Sequence, residues 1–417
     1  MVLPKPTTVA RVFFPFAAGF FLSYVFRTIH ALIAPDLMRD LAIDSGNLGF
    51  LTSVYFLAFL ITQIPLGFAL DRWGSRRVGA FFLSVAGAGS FVFSAATSLL
   101  WLSVGRALIG IGVSAALMAP FAAYTHWVRP ERLSRINGYQ MAAGGLGAVT
   151  ATVPMHVALQ FISWRVLFRV LGMTTLGVAL LILTVVPRRE GSEGAHLSIR
   201  TQARQFRFIF QAPLFIRLSF WAAVSQAAFL SIHGLWAGPW LLEVGGYSRQ
   251  ETATILMLMA MAIMGGFFSI GYITDWLGDR GVAPVTVLIV GLVMMKILIL
   301  ILALNPGSLA PLFWILFSFI GTSGALAYSV FSRAITAYGA GKVNTAYNLL
   351  VFLFAFPMQW GIGVIVARGG SYRFAFVLII GVLVFGMVLY ILLTQWSNNR
   401  GDLDVDGKTT TEPGALP

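Results

Sequence analysis

The chain has 417 residues, a formal net charge of +13 and no cysteine; 58% of it is hydrophobic and only 10% charged, with a mean hydropathy of +0.85. About twenty apolar residues cross a bilayer as a helix, so this composition excludes a soluble globular protein and leaves room for roughly a dozen crossings. Lack of cysteine excludes disulfides, thiolate nucleophiles and Cys-bound metals, and in a membrane chain the excess of Lys and Arg points to cytoplasmic loops rather than to nucleic acid.

Apolar runs bounded by charges, Gly and Pro predict transmembrane helices over 12–35, 48–70, 78–97, 99–127, 137–158, 164–187, 214–242, 251–274, 282–304, 309–332, 343–366 and 373–395. The first is too long for a cleavable signal peptide and is interrupted by Arg27 and His30. Sorted by loop, 19 of the 28 Lys and Arg fall on one side, 5 on the other and 4 within helices. The positive-inside rule then predicts that both termini are cytoplasmic; a bacterial inner membrane is the expected location.

The connection 188–213 divides the chain into an N-terminal six-helix bundle (1–187) and a C-terminal one (214–396). Within it Arg200, Arg204 and Arg207 recur at helical spacing, with Phe206, Ile209 and Phe210 elsewhere on the turn, which predicts a short helix on the inner leaflet. Residues 397–417 are polar and acidic and read as a disordered cytoplasmic tail.

The halves repeat. Displaced by 204 residues, Pro35 meets Pro239, Gly67 meets Gly271, Asp71 meets Asp275, Gly74 meets Gly278 and Arg76 meets Arg280. At offsets of 203 and 207, His30 meets His233 and Asn137 meets Asn344. The expected fold is therefore an all-α membrane protein of twelve transmembrane helices, two six-helix bundles related by a parallel repeat.

The block Gly67-Phe-Ala-Leu-Asp71-Arg72-Trp-Gly74-Ser-Arg76-Arg77 resembles the signature loop of the major facilitator superfamily, and Gly271-Tyr-Ile-Thr-Asp275-Trp-Leu-Gly278-Asp-Arg280 resembles its degenerate copy. Arg106-Ala-Leu-Ile-Gly110-Ile-Gly112 resembles that superfamily's second motif. The resemblance covers essentially the whole chain and implies a central cavity that opens alternately to each side of the membrane. Physically, Gly67 is expected to let helices two and eleven approach closely. Asp71 can accept from a helix N-terminus, where its charge is favoured, and Arg72, Arg76 and Arg77 can pair with it or with lipid phosphate. By the resemblance this cluster is a latch and Asp71 stabilises the outward-open state; the competing reading is that the arginines only set orientation. Trp276 takes the place of Arg72 in the second copy, so a latch of Asp275 and Arg280 is expected to be weaker. For Arg106 the resemblance implies proton transfer or gating, set against the lack of any intramembrane acid to relay to.

All 15 carboxylates fall in loops, in tails or at helix ends, whereas Arg27, His30, Arg106, His233 and Lys296 lie within predicted helices. A charge in the bilayer costs several kcal/mol without a partner; with no acid to neutralise these cations, an anionic substrate is the simplest partner. Ser23, Arg27, His30 and Ala34 form one narrow polar or small stripe on helix one. The context Tyr24-Val-Phe-Arg27-Thr-Ile-His30 resembles the helix-one arginine region of organic anion symporters and sugar-phosphate exchangers, and a guanidinium fork suits carboxylate or phosphate. A structural role, bonding backbone carbonyls, is the alternative. The repeat pairs Arg27 with Leu230, which favours a monocarboxylate over a doubly charged phosphate ester.

His30 and His233 are candidates to carry a coupling proton, or else neutral hydrogen-bonded imidazoles. Tyr24, Gln226 and Asn348 are further candidates for the substrate site, Gln226 reading equally well as a packing amide. Asn344 reads as a helix-start cap and Lys296 as a snorkelling or bundle residue. The leading function is proton-coupled uptake of a small organic anion by a monomer with no cofactor. The alternative is a proton-antiport exporter of drugs or metabolites, against which 142–154 has the glycines but not the Gly-Pro of such exporters. No HExxH or GxSxG motif supports an enzyme.

Overall fold

In a bilayer each backbone N–H and C=O must find its partner within its own segment, and helices satisfy that demand. The computed structural model describes residues 6–128, 130–187, 199–335 and 340–399, and among these it is helical with no β-strand. Eleven helices are long and apolar enough to cross a membrane, and the pair Ile136–Thr150 and Val153–Phe161, bent by 43°, makes a twelfth span if counted as one. Pro154 near the start of the second piece lacks the N–H that would continue the ladder, which fits the bend.

Several predicted helices are broken rather than continuous. The first runs Pro6–Thr28, turns at Ile29 and resumes as His30–Leu41, passing Pro35 instead of ending there. The seventh is Pro213–Ser231, a π turn over Ile232–Trp236 and Ala237–Glu243. The tenth has a 3-10 turn, Thr322–Ala325, between Ala310–Gly321 and Leu326–Ala334. Spans two and three form one helical run, Ser45–Ala95, kinked at Gly74, whose φ of 74° lies in the left-handed region that glycine tolerates.

One buried cluster uses residues 9–186 alone, built on Phe16, Leu83 and Tyr124, and another uses residues 206–390, built on Phe215, Trp221 and Phe331. A third joins both parts of the chain, including Phe26, Tyr55 and Phe168 together with Trp236, Trp240 and Phe352. With the bent pair counted as one span the number is even, so Pro6 and Asn399 share one end of the molecule, called here the terminal end. The helix Ile199–Gln211 lies there, with Ile209 buried in the second cluster and Arg204 exposed beside the Phe208 ring at 5.7 Å. Residues 188–198 and 400–417, which carry the rest of the predicted linker and tail, lie outside the described residues.

The parts before and after residue 199 meet at the end opposite the termini. Pro35 has no N–H to give to the carbonyl of Ala31, and the backbone of Gly238 in span seven packs directly against that carbonyl; a Cβ at Gly238 would overlap it. Phe50 meets Trp360 at 5.5 Å between ring centroids, and Phe59 meets Phe352 at 4.4 Å nearer mid-depth. At the terminal end the close approach expected at Gly67 is not formed: a Cβ there would find no atom within 4 Å, and the same is true at Gly271. The chain is thus closed at the opposite end and parted around its two signature glycines.

Candidate functional site

Arg27 lies in the last turn of the first helical piece of span one, where the partial negative charge of the helix C-terminus favours a cation. Its guanidinium carbon lies 5.3 Å from the Tyr24 ring centroid, 6.0 Å from that of Tyr55 and 5.9 Å from that of Phe352, within the range of cation–π attraction. Tyr24 and Tyr55 come from spans one and two, Phe352 from span eleven, so Arg27 sits where the two parts of the chain meet. Its Nε is buried with no hydrogen-bond partner among the described residues.

Asn348 lies one helical turn before Phe352 on span eleven and accepts from the Tyr328 hydroxyl at 2.7 Å; Arg27 and Tyr328 are close enough to interact electrostatically. Asn344, a turn earlier, accepts from Ser332 at 2.7 Å rather than capping the helix start, which lies at Ala340. Arg27, Tyr24 and Asn348 are therefore brought toward one region, and Tyr55, Tyr328 and Phe352 join them. These three are single aromatics in aromatic-rich spans, and no sequence pattern distinguishes them.

The repeat-related histidines part company. His30 is buried inside the first half, edge-on to Phe93 at 5.6 Å and to Phe168 at 5.8 Å. His233 is half-buried in the π turn of span seven, stacked on Phe229 at 5.5 Å. Gln226 lies two turns earlier, its Oε1 buried against Gly324 of span ten with no hydrogen-bond partner. Arg106 is 2% exposed, donates to the Phe26 carbonyl at 2.8 Å and lies 4.4 Å from the Tyr55 ring centroid. Lys296 is buried in the C-terminal half, its Nζ 4.3 Å from the Trp221 ring centroid and 3.5 Å from Met387 Sδ.

In the signature block, Arg76 donates to the Leu183 carbonyl at the end of span six, so it braces the first half internally. Arg72 lies 5.6 Å from the Trp73 ring centroid, and Arg77 is exposed. The Asp71 side chain lies outside the described ones. In the second copy Asp275 is exposed and Arg280 folds onto Trp276, 3.7 Å from the ring centroid and 2.9 Å from its carbonyl.

At the opposite end a cleft of about 350 Å³ is lined by Asp36, Arg39, Asp40, His156, Trp164 and Arg249, among others. The Trp164 indole donates to Asp40 at 2.9 Å; that bond, helped by Arg39, holds the Asp40 carboxyl below its ordinary range. Among the described residues no group of three or more His, Cys, Asp or Glu is arranged to hold a metal ion.

Residues 16–359 match the Major Facilitator Superfamily. The chain belongs to that family. It is accordingly a multi-pass membrane transporter and not an enzyme. Among curated members it is similar to the probable L-galactonate transporter of Escherichia coli K12, 25% identical and matched over 93% of this chain and 89% of the relative. It is likewise similar to the hexuronate transporter of the same strain, 25% identical over 79% and 81%. Among solved structures, the bacterial homologue of the human lysosomal transporter Spinster, inward-facing and unoccupied, superposes with a TM-score of 0.75 at 18% identity over 94% and 98%. The D-xylose–proton symporter superposes with a TM-score of 0.69 at 16% identity over 96% and 98%. At those identities the likeness speaks for the fold.

Proposed function

We propose that this facilitator carries a small organic anion, held by Arg27, and couples its uptake to protons. The observation that carries the reading is Arg27 itself: a guanidinium at mid-depth between the two parts of the chain, with aromatic rings around it and an Nε that no described group satisfies. A cation in that position demands a negative partner, and among the described residues Arg27 forms no ion pair with a carboxylate. A planar fork favours a carboxylate bound through two oxygens. Tyr24 and Asn348 are the polar groups proposed to share the cargo, and Gln226 and His233 are further candidates for the site. Relatives described as transporters of L-galactonate, hexuronate and, in Bacillus subtilis, galactarate or D-glucarate support the anionic class.

For the proton we favour His233, half-buried in a π turn, a local geometry frequent at functional sites. The signature block, including Asp71, Arg72, Arg77, Asp275 and Arg280, is proposed to latch the terminal end when the transporter opens the other way. The division at 188–213, the monomeric state, cytoplasmic termini and a bacterial inner membrane complete the reading.

The test uses purified protein in proteoliposomes with imposed pH and voltage gradients, offered labelled mono- and dicarboxylates, hexuronates and a cationic dye. Saturable carboxylate uptake that Arg27→Ala abolishes without loss of folded protein is expected. Movement of the dye and of no anion would replace this reading with the exporter, and wild-type uptake by Arg27→Ala would remove Arg27 from the site.

A further inference from the structure

The proposed function uses Arg27 and leaves a second guanidinium, that of the buried Arg106 of span four, without a task. Arg106 makes two contacts at once. Its Nη1 donates to the carbonyl of Phe26 at 2.8 Å, the residue immediately before Arg27 and just ahead of the turn at Ile29 that interrupts span one. Its guanidinium carbon also lies 4.4 Å from the centroid of the Tyr55 ring, the same ring that Arg27 approaches to 6.0 Å. Tyr55 is 1% exposed and its backbone is fixed from behind, since Gly110, four residues on from Arg106, packs against the Tyr55 carbonyl: a Cβ there would lie 2.7 Å from the oxygen.

We infer that Arg106 is a positioning residue for Arg27, bracing both the backbone that carries Arg27 and the ring beside which its guanidinium lies. The geometry needs an arginine: a planar guanidinium can stack on a ring while donating in its own plane, and an ammonium cannot do both. Two like charges flanking one ring repel each other, so Arg106 also discourages Arg27 from turning inward and leaves it directed to the path. Among the described residues, the groups that meet Arg106 are Phe26 from span one, Tyr55 from span two and, at electrostatic range, His30 and Arg27. None is an acid, which separates this role from a proton relay.

The inference rests on Arg27 binding the anion, and the test separates the two. Apparent KM and Vmax for carboxylate uptake are measured, per folded protein, for Arg106→Gln, Arg106→Lys, Arg27→Lys and both combinations with Arg27→Lys. Arg106→Gln is expected to raise KM about tenfold, the scale of one charge-assisted hydrogen bond, with a smaller change in Vmax. Arg106→Lys is expected to recover less than half of that loss. In the Arg27→Lys background the effect of Arg106→Gln should shrink to about twofold or less, because the group being aimed has changed. Three results overturn the inference alone: wild-type KM in Arg106→Lys, the same KM ratio in both backgrounds, or a fall in Vmax at constant KM. An unchanged KM in Arg27→Lys overturns the anion reading and this inference with it. If Arg106→Gln does not fold, Tyr55→Leu removes the shared ring; it is expected to raise KM in the same sense, and an unchanged KM overturns the brace.

Discussion

Arg249, in the first turn of span eight, lies 2.9 Å from Oδ1 of Asp36 near the end of span one, and Arg39 lies 3.3 Å from the same oxygen. One carboxylate thus ties the two parts of the chain together at the opposite end while a second cation stands ready to keep it paired if Arg249 leaves. The Arg249 side chain is 50% exposed, and a pair of that kind contributes about 0.2–1 kcal/mol. Such a tie holds the end shut without making it hard to reopen.

Asp36→Asn is therefore expected to loosen the opposite end without unfolding the protein. The chain has no cysteine, so Gln160→Cys in the lining of the nearby cleft gives a single reporter thiol. Its reaction with a membrane-impermeant maleimide should quicken about 1.4- to fivefold when Asp36 is replaced, the range implied by a tie of this strength. An unchanged rate would show that packing alone keeps the end closed.

Gly238→Leu and Gly67→Leu should have opposite conformational effects. A side chain at Gly238 collides with the Ala31 carbonyl and should force the opposite end apart; one at Gly67 meets nothing in this state but obstructs any later approach of span eleven. Both variants should lose transport, with reporter thiols at the opposite end protected in Gly67→Leu and exposed in Gly238→Leu. Normal uptake by Gly67→Leu would mean that the terminal end does not close there during the cycle.

His30 and His233, equivalent in the repeat, should respond differently to substitution by glutamine. His233→Gln is expected to change the pH dependence of uptake. His30→Gln should keep the wild-type profile and lower stability by about 1 kcal/mol, since it disturbs a ring cluster with Phe93 and Phe168. A pH profile altered only by His30→Gln would reverse the assignment.

The indole bond from Trp164 to Asp40 makes a pH prediction with a definite sign. Because the folded-state carboxyl titrates below its ordinary value, the stabilisation is complete above that ordinary value and is lost as pH falls through the lower folded one. Trp164→Phe should raise that folded value toward the ordinary one, so the variant should be less stable than wild type at neutral pH and lose less further stability on acidification, the two curves converging below the folded value. Thermal stability curves of the two purified proteins that superimpose from neutral pH downward would deny the bond a role in stability.

Much of the fold is legible because the bilayer imposes one rule: long apolar runs must be helices, and the runs read from Val12 to Gln395 all appear as helical segments. What the runs do not reveal are the breaks. Pro35 looks like a helix end, yet its missing N–H merely frees the Ala31 carbonyl where span seven packs. The π turn at Ile232–Trp236 has no periodicity of its own, and it is set by tertiary contacts such as the bond from the Trp236 indole to the Gln359 carbonyl at 2.9 Å. Arg27 is conspicuous in the sequence because a charge in an apolar helix is rare. Tyr55, Tyr328 and Phe352 are not, since an aromatic in a membrane helix is common and only the three-dimensional path brings these together. The Phe26 contact of Arg106 is hidden for a different reason, being made to a backbone atom that every residue possesses.

The two guanidiniums that share Tyr55 also have an electrical consequence. The empty carrier holds two positive charges within its spans, Arg27 and the buried Arg106; a bound monoanion reduces them to one and the proton taken up with it restores the second. A membrane potential acts on each uncompensated charge that shifts in the field with about 2.3 kcal/mol per 100 mV. With one proton carried per monoanion, voltage should therefore bear about equally on the loaded and the empty protein, and the resting potential becomes a determinant of which end of either stands open.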